Sequence, residues 1–179
     1  MVRAFVALEL SQDIKNNLSA AQNTVRGCNA RLTFVNPENM HITLKFLGDV
    51  HEEQLKKVGD ALRSVPFSPF PIQARTVSVN NPKRPHTVWC DIDDGGMGER
   101  LFSLIENALA PLGFDRETRH FTPHATLARI KSPDPSLFLA INSLKEKSWG
   151  SCVISGVKLK KSTLLPKGPV YEDLLEVRW

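Results

Sequence analysis

Long hydrophobic runs are missing from this chain. No purely apolar stretch exceeds five residues, whereas a membrane-spanning helix needs about 20. Near the start, Arg3 and Glu9 interrupt the apolar residues and Ser11-Gln12-Asp13 ends them, so no signal-peptide core is expected there. Cysteine is scarce as well: Cys28, Cys90 and Cys152 are the three, and no two form a CxxC pair. An odd, widely spaced set excludes a disulfide framework and a cysteine-based zinc site, and it reads as reduced structural thiols. Charge of one sign is in small excess, with 23 Lys and Arg against 19 Asp and Glu. That balance is compatible with a polyanionic ligand without demanding one.

What remains is an ordinary globular composition of 179 residues, 41% hydrophobic and 23% charged. A chain of this size buries enough surface to fold as one domain without crosslinks or metals. The expectation is a soluble, cytoplasmic monomer with no membrane partner.

Residues 2–10 alternate between apolar and other positions, as a strand does. Ser11 then caps a helix whose stripe is Ile14, Leu18, Ala21 and Val25, ended by Gly27. A strand over 31–35, a turn at Asn36-Pro37-Glu38-Asn39 and a strand over 40–47 closed by Gly48-Asp49 follow. A helix over 52–65 and strands over 72–79 and 87–92 complete a first half. After Gly95-Gly96 the order recurs: a helix carrying Leu101, Leu104, Ile105, Ala108 and Leu112, a strand over 122–130, a helix over 136–146, and strands over 152–160 and 170–177. The expected fold is α+β, a single domain 1–179 of two similar lobes. The half-repeats run roughly 11–92 and 97–178, and the strand 2–10 completes the fold.

Each half places a polar row on its central strand. Alternation sends Met40, Ile42, Leu44 and Phe46 to the core and His41, Thr43 and Lys45 to the other face. In the second half, His124 and Thr126 share a face while Ala125 and Leu127 point away. Five histidines and nine threonines in 179 residues predict about 0.25 His-x-Thr matches by chance. Three occur, and two of them, His41-Ile42-Thr43-Leu44 and His124-Ala125-Thr126-Leu127, stand at matching places in the half-repeats. A single such motif is readily explained as a satisfied polar strand edge; two in register are not. A zinc site is not expected, because neither motif has an adjacent Asp, Glu or Cys, and His51 and His86 complete no ligand set.

Two imidazoles with ordinary pKa near 6.5 suit acid and base roles in one turnover. If the strands face each other across a groove, the histidines can lie on opposite sides of one phosphorus. The threonine hydroxyls then donate to its non-bridging oxygens, each worth about 2 to 4 kcal/mol of barrier. This pattern is symmetric and leaves open which histidine is the acid. A non-catalytic phosphate-binding module is the alternative of another class, but permanently charged Arg or Lys would serve pure binding better.

Longer strings carry a resemblance. Arg3-Ala4-Phe5-Val6-Ala7-Leu8-Glu9-Leu10, Pro37-Glu38-Asn39-Met40-His41-Ile42-Thr43-Leu44-Lys45-Phe46-Leu47-Gly48, Phe121-Thr122-Pro123-His124-Ala125-Thr126-Leu127-Ala128-Arg129, and Ser162 with Gly168-Pro169-Val170-Tyr171-Glu172 are similar to the corresponding strings of the 2H phosphoesterase superfamily. Within it the chain resembles the bacterial and archaeal RNA 2′,3′-cyclic phosphodiesterases, also called 2′-5′ RNA ligases, over nearly its whole length. The resemblance implies two pseudo-symmetric lobes, each an antiparallel sheet with helices on its outer face, around a central cleft. It implies no cofactor and no metal. It also implies hydrolysis of an RNA terminal 2′,3′-cyclic phosphate to a 2′-phosphomonoester, with tRNA fragments among the conceivable partners. By the same carry-over His41 is the proton donor and His124 the proton acceptor, and reversible ATP-independent 2′-5′ ligation is a secondary activity. Activity on 2′-5′ oligonucleotides or small cyclic nucleotides is the alternative within the same chemistry, and a non-catalytic RNA-end-binding module is the alternative outside it.

Supporting residues follow from position. Arg129 closes the second motif and could neutralise a phosphate, although strict alternation turns it away from His124 unless the strand bulges. Lys45 shares a face with His41. Arg84 lies in a basic loop with Lys83 and His86, a place for an RNA backbone contact. Phe121 or Phe34 offers a stacking surface for a terminal base, with core packing the plainer role for each.

Overall fold

The computed structural model describes residues 1–166 and 168–179. Nine strands and four helices follow one another as β1 (Val2–Glu9), α1 (Gln12–Arg26), β2 (Arg31–Phe34), β3 (His41–Val50), α2 (Glu52–Arg63), β4 (Phe70–Val79), β5 (Thr87–Asp93), α3 (Met97–Leu109), β6 (His124–Ser132), α4 (Pro135–Asn142), β7 (Ser151–Ile154), β8 (Gly156–Leu165) and β9 (Gly168–Arg178). The local reasons are those the sequence suggests. Ser11 accepts the amide hydrogen of Ile14 at 3.3 Å and so caps α1, whose apolar stripe is wholly buried.

The strands form an antiparallel sheet in the order β7-β4-β5-β6-β3-β1-β8-β9, with β2 paired to the same edge of β6 as β3, further along the strand. The sheet divides at its middle, where β3 and β6 are joined by the single pair Ile42–Ala125. One lobe is β7-β4-β5-β6 with β2, backed by α1 and α4; the other is β3-β1-β8-β9, backed by α2 and α3. The hairpin of each half of the chain joins the lobe that holds the other half's central strand: β4–β5 sits beside β6, and β8–β9 reaches β3 through β1. Crossing the halves in this way places β3 and β6 side by side and antiparallel about a pseudo-two-fold axis at Ile42 and Ala125.

Three elements differ from the sequence reading. The expected strand over 152–160 is two strands, β7 on β4 and β8 on β1. The chain changes lobes at Ser155-Gly156, where a Cβ on Gly156 would stand 2.2 Å from the Val177 carbonyl oxygen. The helix expected to reach residue 146 ends at Asn142, because Leu144 turns back into the core through a 3.0 Å bond to the Ile141 carbonyl. The strand expected to close at Gly48 runs on to Val50. Gly48 there takes a left-handed φ of 72° at a register slip opposite Ala4, an ordinary bulge role for glycine. No helix among the described residues is long and apolar enough to cross a membrane.

Candidate active site

The antiparallel register around Ile42–Ala125 brings His41 toward Thr126 and Thr43 toward His124. The two couples therefore share one face of two neighbouring strands, diagonal to each other, instead of facing across a groove from opposite walls. All four side chains line one cavity of about 960 Å³.

Both strands then break their alternation at the same place. Thr43 pairs with Ala7 and Lys45 with Val6, leaving Leu44 bulged; Thr126 pairs with Trp89 and Ala128 with Val88, leaving Leu127 bulged. Each bulge turns the next residues over. Leu44 and Lys45 are both buried, as are Leu127 and Ala128. The following positions, Phe46 and Arg129, return to the cavity beside the histidines.

This corrects two expectations. Lys45 is not with His41: it is only 7% exposed and bonds Glu106 on α3 at 2.6 Å and the Asp115 carbonyl at 2.7 Å. Phe46, assigned to the core by strict alternation, is 70% exposed in the cleft. Arg129 does join the site, and its Nη1 donates to Thr87 Oγ1 at 2.9 Å. Phe121 does not line the cavity; it stacks on Phe102 with ring centroids 5.1 Å apart and planes 13° apart. Arg84 stands on the exposed β4–β5 tip, whose turn is held by Asn81, and is also outside the cavity lining. Phe34 lines the cleft. The Leu that directly follows each threonine hides the duplicated bulge, since an apolar residue there is buried with or without the break in period.

The imidazoles are held alike. His41 Nδ1 lies 2.7 Å from the Asn39 carbonyl oxygen and His124 Nδ1 lies 2.7 Å from that of Thr122. A carbonyl only accepts, so each Nδ1 carries the hydrogen and each neutral ring leaves Nε2 as the base. Nε2 of His41 meets the Thr43 hydroxyl at 3.0 Å. Aromatic rings flank both: Phe5 and Tyr171 lie 4.9 and 5.5 Å from the His41 ring, and Trp89 lies 4.2 Å from the His124 ring.

Their electrostatic surroundings differ. Burial pushes His41 down to about 4, with Lys160 and Lys15 acting in the same direction against the Asn39 carbonyl and Glu9. His124 is also lowered by burial and by Arg129, opposed by the Thr122 carbonyl and Asp91. Each histidine has a carboxylate directly across the ladder, Glu9 opposite His41 and Asp91 opposite His124. Glu9 is ion-paired with Lys15, Lys158 and Lys160, and the last two also hold Asp173 at 2.6 Å each. Asp91 accepts only a neutral hydroxyl among the described residues, from Ser78 at 3.0 Å; that hydroxyl also accepts the Trp89 indole N–H at 3.0 Å.

No group of three or more His, Cys, Asp or Glu side chains able to hold a metal ion occurs among the described residues. Cys28, Cys90 and Cys152 are free thiols, and burial pushes the Cys90 thiol up to about 12. Among the described residues no Asp or Glu lines the cavity, while Arg26 and Arg129 do. Two imidazole–hydroxyl couples on a pseudo-two-fold antiparallel sheet, with two arginines and no carboxylate among the described residues of the cleft, define a phosphoesterase of the two-histidine class. The chain belongs to the LigT-like phosphoesterase family, whose pattern matches residues 8–90 and 98–171. It is 35% identical over 178 residues to the RNA 2′,3′-cyclic phosphodiesterase of Methanothermobacter thermautotrophicus, covering 97% of this chain and 96% of that one. It is 34% identical over 174 residues to the protein of that name from Archaeoglobus fulgidus, covering 97% and 98%. Among solved structures it is similar to a Thermus thermophilus protein, with a TM-score of 0.80, 28% identity and coverage of 98% and 97%. The same fold is seen in E. coli LigT complexed with 3′-AMP, with a TM-score of 0.80 at 20% identity and coverage of 99% and 97%.

Proposed function

We propose that the chain hydrolyses the 2′,3′-cyclic phosphate at an RNA end to a 2′-phosphomonoester. The observation that carries this is the Ile42–Ala125 register, which aims two neutral imidazoles and two hydroxyls into one anion-compatible cavity. The name carried by relatives 35% and 34% identical over nearly the whole chain supports the same reading. Neutral imidazoles also speak against a pure binder, since an uncharged ring attracts phosphate weakly but accepts a proton well.

In this mechanism a water molecule gives its proton to His124 Nε2 as its oxygen bonds to phosphorus. The bond from phosphorus to the 3′ oxygen breaks, and His41 delivers a proton to that oxygen. Thr43, Thr126 and Arg129 hydrogen-bond the non-bridging oxygens as charge builds on them. His41, neutral in the free protein at pH 7, gains its proton when the phosphate anion arrives beside it, so substrate binding is coupled to proton uptake. A 5′-hydroxyl of a second RNA in place of water would give a 2′-5′ bond, as a secondary reaction. Incubating an oligoribonucleotide ending in a cyclic phosphate, with and without EDTA, tests the proposal. A 2′-phosphate product in both arms is expected; a 3′-phosphate, or no product, contradicts it.

A further inference from the structure

The cavity lining is not confined to the two histidine couples, and it includes an arginine the chemistry above does not use. Arg26, in the last turn of α1, lays its guanidinium carbon 4.0 Å from the ring centroid of Phe34 on β2. Both residues line the same cavity as His41 and His124. The ion pairs made by arginines among the described residues involve Arg63, Arg119 and Arg178, and Arg26 has none. Stacking fixes the plane of a guanidinium and leaves the N–H edge available, which is the arrangement that grips a phosphate in two-pronged fashion. Among the described residues the cavity lining holds no carboxylate, the competing partner such an arginine would normally find.

We propose that Arg26, oriented by Phe34, forms a subsite for the phosphodiester one or more nucleotides upstream of the reacting end, so that the preferred substrate is an RNA strand and not a cyclic mononucleotide. This rests on the cyclic phosphodiesterase reading and deepens it. Arg129 serves the reacting phosphate; Arg26 serves the strand behind it.

Arg26→Ala and Arg26→Gln, the second keeping most of the stem that covers Phe34, are compared with the parent on two substrates. One is an oligoribonucleotide ending in a 2′,3′-cyclic phosphate and the other a 2′,3′-cyclic mononucleotide. In both variants the ratio of kcat/KM for oligomer over mononucleotide is expected to fall about tenfold, through KM, with the logarithmic salt dependence on the oligomer shallower by about one. An unchanged ratio overturns the subsite, as does an equal loss on both substrates. If the parent turns over neither substrate, it is the phosphodiesterase reading that fails. Binding of a labelled 2′-phosphate-ended RNA then decides the subsite: weaker in Arg26→Ala, measured against competition by adenosine 2′-monophosphate, supports it, and equal affinity overturns it.

Discussion

The two motif strands have the same backbone and put different side chains on it. After each threonine a single leucine bulges, the next residue is buried and the one after that enters the cleft. On β3 those last two positions are Lys45 and Phe46; on β6 they are Ala128 and Arg129. The pseudo-symmetric frame thus supplies equivalent imidazole–hydroxyl couples, while the bulged positions make the sides unlike. One side carries an aromatic ring toward the cleft and an ion pair into the core, the other a guanidinium toward the cleft. The carboxylates across the ladder widen the difference, because three lysines surround Glu9 and a single hydroxyl serves Asp91. The repeated frame sets the geometry, and the side chains at these few positions give each side its own chemistry.

The largest effects should come from what the sides share. His41→Ala and His124→Ala are each expected to lower kcat by about 10³- to 10⁴-fold while leaving the melting temperature near that of the parent; full turnover by either variant would end the two-histidine account. The unlike cleft positions come next. Arg129→Ala should cost about 10²-fold in kcat/KM, whereas Phe46→Ala at the matching place should cost less than about tenfold. Equal losses would mean that the two sides are not specialised as described.

Lys45→Ala inverts the contrast. It should leave chemistry in place and lower the unfolding free energy by about 3 kcal/mol, because Glu106 stays buried on α3 without its partner. Chemical denaturation followed by assay below the transition separates the two readouts. A stable but inactive variant would return Lys45 to the site.

The smallest effect concerns pH. Both imidazoles lie below the usual 6.5 in the free protein, so each loses its proton at lower pH than free histidine does. The bell of kcat/KM against pH should have both limbs on the acidic side of 6.5. Asp91 favours the charged form of His124, so Asp91→Asn should move one limb to still lower pH, by less than about one pH unit. A limb that moves upward instead would contradict the role given to this carboxylate.

Much of this was legible in the residues. The helices follow their apolar stripes, and two His-x-Thr-Leu strings in matching places pointed at the couples that line the cavity. What failed was the assumption of unbroken alternation. Leu44 and Leu127 are apolar, so a bulge there keeps a buried residue buried and leaves no trace in the hydrophobic pattern. The consequence fell on their successors: Lys45 was given to the cleft and Phe46 to the core, the reverse of their places. The lobe change falls at Ser155-Gly156, a pair that marks a turn but that a strand also accommodates at a bend, so the two short runs around it read as one strand. Phe121 and Arg84 were plausible by type alone, and only tertiary packing removes them from the cavity.

The central claim is that the two imidazoles divide acid and base work on one phosphorus, and leaving-group replacement tests it most directly. A cyclic phosphate whose 3′ oxygen is replaced by sulfur expels a thiolate, whose conjugate acid has a pKa near about 8.5 and which needs little protonation to depart. On this substrate His41→Ala should recover most of its lost rate while His124→Ala stays inactive. Recovery of both variants, of neither, or of His124→Ala alone would contradict the assignment.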